Sequence, residues 1–317
     1  MIEPRKPGAP AAIALGCMNF GKRTPAGESE KIIRRALERG VTLFDTANVY
    51  NDGESERILG RGLRGARDRV TIATKVGLAR LGGKVEGLSR AAVLRAADES
   101  LARLGIDRID VYYLHAPDHA VPIEETLAAM EELRSAGKIG AVGVSNYAAW
   151  QILEMRTIAG AGGVAPVMSQ VMYNLLVRQI ELEYAAFTRK YPIHTTVYNP
   201  LAGGLLTGRH TREGGIGQGS RFDKNKMYQA RYWSDRFFDL VDEYRAVAAG
   251  ESLGLVDLAY AWLAGQPHVD SILVGPASLP HLDAALDGCA RTVSPAALAR
   301  IDAIHRAHAG TDASYVR

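Results

Sequence analysis

Short apolar runs alternate with amphipathic stretches of helical period along most of the chain. Ala11–Leu15 is apolar and ends in Gly16, which predicts a strand; Glu28–Arg39 carries Ile32, Ile33, Ala36 and Leu37 at helical spacing and stops at Gly40. Thr42–Phe44 predicts a second strand, Glu54–Arg61 a helix with Ile58 and Leu59 inward, and Val70–Thr74 a strand ending at Lys75. Ser89 is a good N-cap for a helix with Leu94, Ala97, Leu101 and Leu104 on one face, closed by Gly105. Ile109–Leu114 is a strand ending at His115; Pro122 opens a helix with Glu124 and Glu125 in its first turn, Gly137 ends it, and Ile139–Val144 is a strand ending at Ser145-Asn146. Tyr147–Thr157 and Glu181–Lys190 read as helices, Val167–Ser169 as a strand ending at Gln170, and His194–Val197 as a strand ending at Tyr198. The rhythm then breaks over 199–233, which is rich in Gly and Arg. Helices at Asp235–Ala249 and Val256–Ala264, a strand at Ser271–Val274, a helix at Pro280–Leu286 and an amphipathic segment at Pro295–Ala307 follow, with a tail over 308–317.

Eight strand–helix units with short strands predict an α/β fold of the (β/α)8 TIM-barrel type in a single domain, residues 1–317; a doubly wound sheet is the competing architecture. The length, 317 residues, suits one barrel as well as two smaller domains. A composition of 47% hydrophobic and 23% charged residues is that of a globular protein with a large core. Net charge is +3 with Lys and Arg dispersed, so no basic arm or stripe points to nucleic acid. Cys17 and Cys289 are too few and too far apart for a disulfide framework or a metal cluster, and no metal is expected. The N-terminus has no signal-peptide pattern and no apolar run approaches a membrane span, so a cytoplasmic protein without a membrane partner is expected.

Two literal motif matches carry no function. Gly60–Gly65 spells GxGxxG, but it follows a helix and precedes a strand, the reverse of a Rossmann turn, and reads as a helix C-cap and linker. Gly16–Lys22 nearly spells a P-loop, with Arg23 where the Mg-binding hydroxyl must stand. The predicted strand ends offer Asp45, Lys75, His115, Ser145-Asn146, Gln170 and Tyr198, with Tyr50 on the loop after Asp45. Each has a structural explanation alone. Together they would converge on the C-terminal mouth of a barrel, where barrel enzymes place their chemistry. A phenol with a reference pKa of about 10 is a sluggish proton donor at neutral pH. A lysine beside it is expected to lower that pKa, a carboxylate to keep the lysine charged, and a histidine to orient a carbonyl. Hydride would have to come from a cofactor, since no side chain supplies one.

These residues lie in FDTANVY (44–50), ATKVG (73–77), YYLHAPD (112–118), GVSNY (143–147), QVMYN (170–174) and YNPLAGGLLTGR (198–209), and through them the chain resembles the aldo-keto reductases along nearly its whole length. HAPDH, SNYAAW, YQARYW (228–233) and the Tyr-x-Arg C-terminus are most similar to the aflatoxin-aldehyde and succinic-semialdehyde reductase group. The resemblance implies reduction of a small-molecule aldehyde or ketone by NADPH bound across the strand mouths, with NADH left open. It makes Tyr50 the proton donor, Lys75 and Asp45 its tuning pair, and His115 the carbonyl-orienting residue. Ser145, Asn146 and Gln170 would hold the nicotinamide carboxamide and Tyr198 would stack on its ring. Met18, Asn199, Leu201, Gly203, Leu205, Gly208, Arg209, Arg221, Gly275, Ser278 and His281 would complete the cofactor site. Tyr228, Arg231 and Arg317 would line the substrate pocket with His115. The adenine-end segment departs from the common pattern at Ser278, His281 and Ala285. The resemblance also implies a possible homodimer. A slow, cofactor-binding regulatory module like a channel subunit, and a lyase using Lys75 as a Schiff base, are the rival functions.

Overall fold

The computed structural model describes residues 3–160 and 162–310. Eight strands, β1 (Ala12–Gly16), β2 (Leu43–Asp45), β3 (Thr71–Val76), β4 (Ile109–Leu114), β5 (Ile139–Ser145), β6 (Pro166–Met172), β7 (His194–Tyr198) and β8 (Ser271–Val274), close into a parallel barrel in chain order. β8 pairs back onto β1, with Ala12 opposite Ser271, so no edge is left open. The doubly wound alternative is thereby excluded. The strands read as near-continuous apolar runs because both of their faces are covered.

The side-chain parity of the strands determines what reaches the mouth. Ala73, Val111, Tyr113 and Met168, with Leu43 against them, form a small buried cluster separate from the main core. The main core contains Phe44, Ile72, Tyr112 and Val142 together with helix residues such as Ile32, Ile58 and Met130. Alternate residues of a strand share a face. Asp45, Lys75, His115 and Gln170 each lie two positions beyond a member of the smaller, inward cluster, so the pleat carries all four up the barrel interior.

Helices α1 (Ala26–Glu38), α2 (Glu54–Gly62), α3 (Arg90–Leu104), α4 (Ile123–Ser135), α5 (Ala149–Ala159), α6 (Tyr184–Lys190), α7 (Lys226–Tyr232), α8 (Asp235–Gly250), α9 (Leu255–Gly265), α10 (Leu279–Cys289) and α11 (Pro295–Ala309) complete the element order, most of them packed around the barrel. Ser89 caps α3 by accepting the Ala92 N–H, and Gly105 ends it with φ at 66°. Gly60 lies inside α2, not in a linker after it. A Cβ there would sit 2.1 Å from the Leu104 carbonyl oxygen, so its missing side chain is what lets α2 approach the end of α3.

Three further differences from the sequence pattern have local causes. β6 runs from Pro166 to Met172, longer than the Val167–Ser169 strand expected, because its pairing with β5 and β7 extends beyond those residues. The segment expected to be helical from Glu181 begins as a 3-10 turn, Gln179–Glu181, and becomes α6 only at Tyr184. The 199–233 excursion is ordered by a 3-10 stretch at Ala202–Thr207 and by α7, whose N-cap Asn225 accepts the Tyr228 N–H. Its own His210, Phe222 and Trp233 pack edge to face with one another and with Phe238 of α8 at centroid distances of 5.0–5.6 Å. Among the described residues no single helix is long and apolar enough to cross a membrane.

Candidate active site

Lys75 and Asp45 form a fully buried ion pair at the top of the barrel. The ammonium also donates to the Thr46 carbonyl at 2.8 Å, and the second carboxylate oxygen accepts Gln170 Nε2 at 3.0 Å. Removal of two charges from water is costly, and these extra hydrogen bonds answer part of that cost. Burial pushes the Asp45 carboxyl up, while Lys75 and Gln170 pull it back.

The half-buried Tyr50 ring lies with Lys75 Nζ 5.3 Å from its centroid. Burial and the nearby Asp45 carboxylate hold the Tyr50 phenol well above its ordinary range. This corrects the expectation that Lys75 lowers it. The lysine's charge is spent on Asp45, and the phenol feels the buried pair as a dipole, not as a free cation. Tyr50 is therefore held in the protonated form at neutral pH, as a proton donor must be. His115 stands edge-on to Tyr50 with centroids 5.8 Å apart. Burial, with the Lys75 charge behind it, depresses the imidazole to about 3, so His115 is neutral in the physiological range. Its Nδ1 is buried and meets no partner among the described residues.

Asn146 projects from the end of β5 with φ at 64°. Its Nδ2 donates to the His115 carbonyl and to Ser145 Oγ, both at 3.0 Å, and its Oδ1 accepts the Tyr198 hydroxyl at 2.6 Å. Ser145 pairs across to Gln170, so these four residues form one contiguous polar shelf. The Gln170 amide nitrogen donates to Asp45, which fixes the side chain and leaves its oxygen as the group it can offer a ligand.

Beyond Tyr198 the chain turns at Asn199, φ 65°, whose Oδ1 accepts the Gly203 N–H at 2.9 Å. Gly203 and Gly204 have φ of 70° and 108°, and only His210 lies within 4 Å of a Cβ built on Gly204. The amides of both glycines are engaged within the turn, Gly203 with Asn199 and Gly204 with the Leu201 carbonyl at 2.8 Å, so what the pair leaves open is the space over Gly204. Leu201 is half-buried and Leu205 wholly so, which leaves Leu205 only its backbone to offer a ligand. Gly208 has φ at 71° and Arg209 is exposed beside it. Across the mouth, Ser278 precedes α10 with no side-chain cap bond. Burial and the nearby Arg209 charge hold the His281 imidazole below its ordinary range, so Arg209 is the cation at that end and His281 its neutral neighbour. Arg221 donates to Asn19 Oδ1 at 2.9 Å, and Asn19 Nδ2 donates to the carbonyl of Gly275 at 3.0 Å. Met18, half-buried, precedes it.

The Tyr228 ring lies 5.5 Å from the Arg221 guanidinium and 5.8 Å from that of Arg231. The Arg23 guanidinium is drawn down by burial and by Arg221, so a third cation faces the same cleft. Arg317 and Tyr315 lie outside the described residues. Sequence reasoning missed Asn19, Arg23 and Asn174. Asn19 falls within the discarded P-loop match, and nothing local marks it. Asn174 is fully buried, donating to the Asn199 carbonyl at 3.0 Å, and so fixes the start of the glycine turn.

The positive-φ glycines, the polar shelf at Ser145-Asn146 and the exposed Arg209 fit a nicotinamide cofactor lying across the strand mouths. Among the described residues no cluster of His, Cys, Asp and Glu could hold a metal ion.

Comparison with known proteins agrees with this geometry. The family model described as "Aldo/keto reductase family" matches residues 12–306. Human aflatoxin B1 aldehyde reductase member 2 is 37% identical over 96% of this chain and 88% of its own. A probable voltage-gated potassium channel subunit beta of Oryza sativa subsp. japonica is 33% identical over 81% of this chain and 80% of its own. The structure of the glycerol dehydrogenase AKR11B4 from Gluconobacter oxydans superposes with a TM-score of 0.82 at 26% identity, covering 99% of this chain and 98% of that one.

Proposed function

This chain belongs to the aldo/keto reductase family, and from that premise we propose that it reduces an aldehyde or ketone to the alcohol with Tyr50 as proton donor and NADPH as the preferred reductant. The observation that carries the reading is the meeting of Tyr50, His115 and the buried Lys75–Asp45 pair at one strand mouth.

The bound nicotinamide supplies the hydride to the carbonyl carbon. The Tyr50 hydroxyl gives its proton to the carbonyl oxygen. His115, neutral, carries one N–H and can hydrogen-bond that oxygen without competing as an acid. Lys75 and Asp45 set the field at the phenol: burial and the Asp45 charge keep the hydroxyl protonated at rest, and the Lys75 ammonium is the nearby cation that would offset the tyrosinate left by proton transfer. Asn146 and Ser145 would hold the carboxamide, and Tyr198, kept in place by its bond to Asn146, would stack on the ring. Asn199 to Arg209 would wrap the pyrophosphate. Arg209 and His281, with the uncapped start of α10, support binding of a 2′-phosphate and hence NADPH over NADH. The cations around Tyr228 favour a substrate with a carboxylate or another polar acceptor beyond its carbonyl.

Steady-state oxidation of NADPH and of NADH against aromatic aldehydes, succinic semialdehyde and diketones tests this reading. Fast turnover with NADPH supports it. Tight cofactor binding without turnover on any carbonyl would instead favour the regulatory, channel-subunit-like role.

A further inference from the structure

One buried carboxylate outside the four mouth residues ties the loop that carries Tyr50 to the turn that leaves the strand of Lys75. Glu86 follows the short hairpin in which Arg80–Leu81 pairs with Lys84–Val85, and its side chain is 1% exposed. Its Oε2 accepts Asn48 Nδ2 at 2.8 Å and the Gly77 backbone N–H at 3.0 Å, while its Oε1 accepts Arg95 Nη2 from α3 at 3.1 Å. Asn48 stands two residues before Tyr50, and Gly77 two residues after Lys75. Two backbone bonds link these segments directly, from the Thr46 N–H to the Ala73 carbonyl at 2.9 Å and from the Asn48 N–H to the Lys75 carbonyl at 3.2 Å, and the second, nearer Tyr50, is the longer. Asn48 is itself buried, and its Oδ1 meets no donor among the described residues, so the bond to Glu86 is what orients the amide. Gly77 has φ at +115°, and a Cβ there would lie 2.8 Å from Leu88, so neither contact nor propensity of a side chain holds that peptide. An apolar residue would fill the space under the hairpin at no cost in desolvation. A carboxylate is retained here for the donors it collects from both loops.

We propose that Glu86 is a positioning residue for the reduction: through Asn48 and the Gly77 peptide it holds Tyr50 in register over Lys75. This rests on Tyr50 being the proton donor. Since small displacements of a reacting group are costly in rate, loss of the tie is expected in kcat and not in cofactor affinity.

The test uses the full chain with Glu86→Ala, Glu86→Gln, Asn48→Ala and the Glu86→Ala/Asn48→Ala pair. The measurements are kcat per cofactor-binding site, KM, cofactor Kd by fluorescence titration, and the solvent deuterium isotope effect on kcat. The expected result for Glu86→Ala is a kcat lower by about 10- to 100-fold, a Kd within about twofold, and a larger solvent isotope effect because proton transfer becomes more limiting. Glu86→Gln keeps an oxygen for Asn48 and Gly77 and recovers most of kcat. The double variant is no worse than Glu86→Ala. A wild-type kcat and isotope effect in Glu86→Ala, or a loss that follows only the fraction of folded protein, overturns the proposal. Should Glu86→Ala not fold, Asn48→Ala decides alone: unchanged kcat and isotope effect overturn it as well. Tyr50→Phe is measured in parallel. If that variant stays active the assignment of the donor has failed, whereas an inactive Tyr50→Phe beside an unimpaired Glu86→Ala sinks only the role given to Glu86.

Discussion

The rings of Tyr50 and His115 meet edge to face, their planes 80° apart, with the Lys75 ammonium 5.3 Å from the tyrosine centroid. The phenol is therefore flanked by a neutral imidazole and a cation already paired with Asp45, and both of its neighbours leave its proton in place. Replacement of Tyr50 by Phe removes that proton and little volume. The expected outcome is a fall in kcat of at least about 100-fold with cofactor Kd unchanged, read by turnover and by fluorescence titration.

Lys75→Met makes a different prediction, because it strands the Asp45 carboxylate in the barrel. Both activity and stability should fall, the latter by about 3–5 kcal/mol in denaturant unfolding, as for other broken buried pairs. The Lys75→Met/Asp45→Asn double variant should regain much of the stability and none of the activity. Recovery of activity in the double variant would contradict the role given to the pair.

The His115 imidazole sits at about 3 in the folded chain, against about 6.5 when exposed. Between those values the unfolded chain binds the extra proton and the folded chain does not, so His115 makes stability rise with pH across that window and fall as acid is added. Above about pH 6.5 it contributes no slope. The urea midpoint of the wild type should therefore drop faster from pH 6 to pH 4 than that of His115→Asn. By the same reasoning kcat/KM should show no limb near pH 6.5, and a limb there that vanishes in His115→Asn would refute the neutral assignment.

Arg209 is exposed and permanently charged near His281, and on the proposed reading it meets the 2′-phosphate of the cofactor. Arg209→Ala should raise the KM for NADPH by about 10-fold and leave that for NADH nearly unchanged, the size expected for one lost charge-assisted contact. Equal effects on both cofactors would move the 2′-phosphate elsewhere.

Gly60→Ala tests the packing of α2 against α3. The added methyl meets the Leu104 carbonyl, and the expected cost is about 1–3 kcal/mol of stability with kcat/KM unaltered, measured by denaturant unfolding and steady-state kinetics. A neutral or stabilised variant would show that α2 can shift freely.

Local order in the chain was enough to determine the alternation of strands and helices, the caps at Ser89 and Gly105, and the row of polar residues at the strand ends. These follow from period, parity and cap chemistry, which act over a few residues. Pleat parity alone sends Asp45, Lys75, His115 and Gln170 to one interior once the barrel is closed. The tertiary structure decided everything that depends on burial or on partners distant in sequence. It reversed the expected direction of the Tyr50 phenol, because burial, with the Asp45 carboxylate beside it, outweighs any nearby cation. It set the Gln170 amide on Asp45, 125 residues away, and brought Arg221 to Asn19 across the mouth. It gathered His210, Phe222 and Trp233 of the 199–233 excursion into one aromatic cluster with Phe238 of α8. It placed Glu86 between two loops to which no motif connects it. A carboxylate's environment is a sum over neighbours from every nearby element, and that sum exists only once the barrel has closed.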